Sequence, residues 1–151
     1  MSPLRRPTMI LLERGYFAYW LELKGDRERP AWSEFDFLDI FEITPHLIIK
    51  DVINGGAEFR NRFWGTIHVD QGGFDGTGKT VAEYYKPEDV QEILELYRYP
   101  LRTPTPMVMR GRLHYQDVGK WQEYSAVCVG FTGDDGSVTK LVCAYDDKYE
   151  E

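Results

Sequence analysis

The chain has 151 residues, 42% of them hydrophobic and 15% aromatic, and a formal net charge of −7. That length gives one domain a genuine core and leaves too little for two. The acid excess argues against nucleic acid or an anionic membrane as main partner, and Arg5-Arg6 alone does not reverse it. No apolar run reaches membrane-spanning length, and the first residues lack the order of a signal peptide, so a cytoplasmic protein is expected. Cys128 and Cys143, with no C-x-x-C, suggest neither a disulfide framework nor a zinc site.

In chain order, Leu12, Tyr16, Trp20 and Leu23, widened by Phe17 and Leu21, predict an amphipathic helix over 9–24, with Gly25 just past its end. A charged linker leads to a short helix over 32–44. Ser33 or Asp36 would cap it, Phe37, Leu38, Ile40, Phe41 and Ile43 would face inward, and Pro45 would stop it. A β-hairpin follows. Its first strand, 47–53, is apolar on both residue parities and so reads as a central strand covered on both faces. Asn54-Gly55 suits a type I′ turn. In the second strand, 59–64, Arg60 and Arg62 alternate with Phe59 and Phe63, as befits an edge with one wet face.

Residues 66–71 either continue that strand or form a short helix capped by Thr66, and Gly72-Gly73 ends it. After a glycine-rich loop, one or two helical turns over 80–86 precede Pro87. Glu88 and Asp89 in a first turn, then Val90, Ile93, Leu94 and Tyr97, make the clearest helix, closed by Pro100 and Pro104. The period then changes to two. Met107, Met109, Leu113 and Tyr115 alternate with Arg110, Arg112 and His114, a second edge strand. Strands over 121–131 and 138–145 share a Gly/Asp/Ser loop, and an acidic tail from Asp146 frays. A two-residue turn at Asp135-Gly136 would set Cys128 opposite Cys143.

The expected fold class is α+β in a single domain: an N-terminal helix and linker (1–30), a core (45–146) and an acidic tail (147–151). Five antiparallel strands carry the 66–102 helices on one face, and the first helix covers the other or joins a dimer. A cavity between sheet and middle helices is the natural ligand site. His68, Tyr84, Val90, Tyr97, Met109, Leu113 and Val127 are the candidates to frame it. His46, at the mouth of the first strand, reads as a strand-end histidine, and Asp36, Asp39 and Glu42 as a solvated helix side. No nucleophile pairs with a base and no metal set emerges, so a non-catalytic protein is expected.

Gly73-Phe74-Asp75-Gly76-Thr77-Gly78-Lys79-Thr80 matches the phosphate-binding pattern G-x-x-x-x-G-K-[ST]. The mechanism needs a buried parallel strand before the loop and a long helix after it, to aim helix N-terminal amides at the phosphates. Neither is present in the pattern, and the segment reads as a glycine-rich turn. Nucleotide binding at 73–80 and a small cone-shaped enzyme of the ketosteroid-isomerase type remain the alternatives.

Tyr19-Trp20-Leu21, Leu38-Asp39-Ile40, Pro45-His46-Leu47, Asp51-Val52, Phe59-Arg60-Asn61-Arg62-Phe63-Trp64-Gly65-Thr66 and Asp75-Gly76-Thr77-Gly78 occur in this order. With them the chain resembles the PAS-like domain family of small stand-alone α-proteobacterial proteins. It departs at Phe41, where that family usually has proline, and at Gly76, where an aliphatic residue is usual. The resemblance implies the PAS fold, with 66–71 as its first short helix, and a sensory or interaction module that takes a small molecule or a protein partner. A homodimer through the N-terminal helix is expected. The flavin motif Asn-Cys-Arg-Phe-Leu is missing and no histidine stands on the Glu88 helix, so neither flavin nor haem is implied.

Overall fold

The computed structural model describes residues 15–113 and 121–149, with the backbone alone at 113, 122 and 147–149. Leu12, His114 and Tyr115 lie outside them. Five strands form one sheet: β1 (Leu47–Ile53), β2 (Glu58–Trp64), β3 (Met107–Leu113), β4 (Gln122–Thr132) and β5 (Val138–Tyr149), in the order β2-β1-β5-β4-β3. All four ladders are antiparallel. The two strands with arginine-bearing faces are the edges, and the three that are apolar on both parities lie between them. β5 pairs with β4 as far as Tyr149, opposite Gln122, so the acidic segment after Tyr145 extends the ladder instead of fraying.

Strand alternation divides the core into two layers. On one side Ile48, Phe59, Trp64, Met107, Met109, Ala126, Cys128, Leu141, Cys143 and Tyr145 meet a roof of short helices. These are α2 (Thr66–Gly72), α3 (Val81–Tyr84) and α4 (Val90–Arg102). On the other side Leu47, Ile49, Val129, Phe131, Val142 and Ala144 pack on α1 (Phe17–Lys24) and a 3₁₀ segment, Phe37–His46. Two aromatic residues pin α1 to the sheet. The Tyr16 hydroxyl donates to the Val142 carbonyl at 2.6 Å, and Trp20 Nε1 donates to the Gly130 carbonyl at 3.1 Å.

Local departures from the sequence pattern have physical causes. Phe37–His46 is 3₁₀ and is broken at Ile40, so positions spaced for an α-helix do not share a face. Leu38 and Phe41 are therefore 78% and 72% exposed. Asp36 is the cap, its carboxylate accepting from Leu38 N at 2.9 Å. Asn54 and Gly55 both take positive φ, but the loop runs on through Gly56 and Ala57 before Ile53 pairs with Glu58. The two extra residues dock on α4, where Arg98 Nε donates to the Gly56 carbonyl at 2.7 Å. α2 has Gly65, not Thr66, at its N-cap and Gly73, in the left-handed region, at its C-cap. α4 continues through Pro100, and Pro104 follows its end.

Candidate functional site

The middle of β1 holds the least expected side chain of the roofed layer. Lys50 shares a parity with Ile48 and Val52, so alternation aims it under the roof, where it is fully buried. Its Nζ donates to Asn61 Oδ1 at 2.6 Å and to the Tyr84 hydroxyl at 3.0 Å. The charge lies 4.5 Å from the Tyr97 ring centroid and 5.7 Å from that of Tyr84, within range of the negative face of each ring. Among the described residues no carboxylate pairs with Lys50. Asp51 and Asp146 stand on the opposite parity of β1 and β5 from Lys50 and Tyr145, and Asp51 is held by Arg62 and Lys140. A buried cation without an anion costs several kcal/mol, and hydrogen bonds and ring quadrupoles offset only part of this.

Asn61 reaches this position by plain alternation from Phe59, with a β-bulge just beyond it. Ile49 pairs with Phe63 but Lys50 pairs with Asn61, leaving Arg62 as the extra residue. Phe63 is thereby turned to the back layer and Trp64 to the roofed one. The glycine-rich loop then locks Asn61. Its Nδ2 donates to the Gly76 carbonyl at 3.0 Å, its backbone N–H to the Lys79 carbonyl at 3.0 Å, and its carbonyl accepts from Gly78 N at 2.8 Å. The loop runs along the outer edge of β2 and shields it, with an antiparallel bridge between Arg60 and Thr80.

Further into the layer the hydroxyls of Tyr85, Tyr97 and Tyr145 form a chain, 3.3 Å from Tyr85 to Tyr97 and 2.8 Å from Tyr97 to Tyr145. Burial pushes the Tyr97 and Tyr145 phenols well above their usual range. Cys128 and Cys143 are direct cross-strand partners in β4 and β5, both buried. Burial, then the hydrogen bond with Cys143, raises the Cys128 thiol, and the Lys50 charge opposes that rise.

Of the residues singled out from sequence, Tyr84, Tyr97 and Met109 lie in the roofed layer and Val90 packs against it. His68, buried on α2, joins at its rim. Its Nε2 lies 3.0 Å from the His46 carbonyl and its ring is edge-on to Trp64 and Tyr145. Val127 does not join them: it stands between Ala126 and Cys128, so the pleat turns it to the opposite face, beside Ala144. The Leu113 side chain lies outside the described residues. Lys50 and Asn61 escaped the sequence reading. The available signals were a lysine at the centre of a strand apolar on both parities and, for Asn61, its place two residues after Phe59 on the inward parity of the second strand.

Gly73–Thr80 does not have the phosphate-loop setting. A helix precedes it, a single-turn helix follows it, and the sheet has no parallel ladder. A separate groove of about 630 Å³ runs outside the roof between α4 and β3, lined by Glu92, Glu95, Leu96, Tyr99, Arg102 and Met107 among others.

Solved structures resemble this chain over most of its length. A PAS domain from Colwellia psychrerythraea superposes with a TM-score of 0.54 at 16% identity, covering 75% of this chain and 98% of that one. The Drosophila melanogaster Cycle PAS-B domain with bound ethylene glycol gives 0.51 at 14% identity, over 67% and 99%. The fold is the PAS fold. The Vibrio cholerae VqmA dimer, a LuxR-type receptor, gives 0.54 at 14% identity and covers 74% of this chain and 49% of that one. No family model matches this chain, and no curated protein does. Among the described residues no helix is long and apolar enough to cross a membrane.

Proposed function

We propose that this chain is a non-catalytic sensory module, one that admits a small molecule between its sheet and the α2–α4 roof and signals to a second copy or a partner through α1. The observation that carries this reading is the roofed layer itself. Stability alone needs only hydrocarbon, whereas this layer also holds Lys50, Asn61 and three linked tyrosine hydroxyls, the few convergent polar groups that a ligand site uses. The roof is made of separate helices with proline and glycine joints and has no ladder to hold it. Such an element opens at lower cost than the sheet below it. The Cycle PAS-B domain, with its bound ethylene glycol, supports the same reading.

Signalling through the back layer is supported by its exposed apolar side chains, Leu21 on α1 and Leu38 and Phe41 beside it. Tyr19 ties the two elements, its hydroxyl accepting from Asp36 N at 2.9 Å. The reading is tested by a thermal-shift screen of small metabolites followed by hydrogen exchange. A ligand that raises the melting temperature and slows exchange in α2–α4 and β1 is expected. Protection confined to the outer α4–β3 groove would contradict the reading.

A further inference from the structure

We infer that the small molecule taken by the roofed layer is an anion, a compact carboxylate or comparable acid with an apolar or aromatic body, whose charge is neutralised by Lys50. This inference rests on the sensory reading above and specifies its ligand. A lysine ammonium has three N–H donors. The protein takes two, through Asn61 Oδ1 and the Tyr84 hydroxyl, and the group is otherwise faced by the Tyr97 ring. The charge, fully buried, has no acidic partner among the described residues. A carboxylate arriving here would form a charge-assisted hydrogen bond in a low-dielectric interior and relieve an existing cost, so it gains more than it would at a surface lysine.

The surroundings fit such a ligand and disfavour a cation. Phe59, Met109, Tyr84 and Tyr97 give apolar and aromatic walls. The Tyr85–Tyr97–Tyr145 hydroxyl chain adds a polar strip to the same layer. Asn61 is committed on both ends, to Lys50 and to Gly76, so it holds the ammonium in place.

The test uses matched probes on the full chain, phenylacetate and its neutral isostere phenylacetamide, read by thermal shift and isothermal titration. Phenylacetate is expected to bind the unaltered protein at least about tenfold more tightly than phenylacetamide. In Lys50→Met that preference disappears, a loss of about 1.4 kcal/mol or more. Should Lys50→Met fail to fold, Asn61→Asp gives the second test. It places a carboxylate beside Lys50, and phenylacetate affinity should fall as in Lys50→Met while phenylacetamide binding is retained. Equal binding of both probes, or a phenylacetate preference that survives Lys50→Met or Asn61→Asp, overturns the anion assignment while leaving a ligand-binding interior. Binding of neither probe also overturns it, and the sensory reading is then judged separately by the small molecule, of any charge, that co-purifies with the protein.

Discussion

A Cβ at Gly65 would stand 2.1 Å from the Pro45 carbonyl oxygen and 2.8 Å from that of Leu47, backbone atoms that cannot yield. At Gly76 the obstacle is softer, the Trp64 ring at 2.7 Å. A side chain at Gly76 would compete with Trp64 for the same volume. Gly76→Ala should cost about 1–3 kcal/mol and Gly65→Ala more, both measured by denaturant unfolding. Trp64→Leu should relieve the Gly76→Ala penalty in a double-mutant cycle, whereas additivity would show that the ring is not the obstacle. The buried phenols of Tyr16, Tyr97 and Tyr145 make a separate prediction. Burial raises all three, so folding favours the neutral form. Their contribution is complete below about pH 10, where unfolded tyrosines ionise, and is lost as the pH rises through the higher native values. Phenolate absorbance should therefore show early-titrating exposed tyrosines and a later group that ionises only with unfolding; simultaneous titration of all would contradict their burial.

At the level of elements, α3 is a four-residue helix that would not form alone, and Glu58 of β2 makes it possible. One carboxylate accepts from Phe59 N at 2.7 Å, Val81 N at 3.0 Å and Ala82 N at 3.1 Å. Thr80 and Glu83 complete the cap. Glu58→Ala should cost about 1–2 kcal/mol and speed hydrogen exchange in α3 before the sheet; uniform loss across the sheet would contradict this local role. The elements were readable because their signals are local: the Asn54-Gly55 turn, the change of period after Thr105, and doubly apolar strands between singly apolar ones. What could not be read was each place where one residue changes the phase. Arg62, as a bulge, turns Phe63 to the back layer and Trp64 to the roof, and the 3₁₀ geometry around Ile40 puts Leu38 and Phe41 outside. Val127 lies in a strand that is apolar on both parities, so its facing is ambiguous until the register is known.

For the molecule as a whole, the sheet separates the roofed layer, proposed to take a ligand, from the back layer, proposed to signal, and Trp20 closes the second. Trp20→Ala removes a fully packed indole and its bond to Gly130, and should cost about 3–5 kcal/mol. Leu38→Lys with Phe41→Lys, both at exposed positions, should leave folding intact but weaken self-association in sedimentation; an unchanged mass distribution would remove this surface from the dimer proposal. The candidate site was only half readable from sequence, since aromatic lining announces itself by composition while the polar anchor depends on two strands meeting. The most direct measurement is native mass spectrometry of the gently purified protein, with the released small molecule identified. A bound organic acid, present with the unaltered chain and absent from Lys50→Met, is the expected result. A chain that carries nothing from any host, and whose melting temperature no small molecule raises, would contradict a ligand-sensing interior.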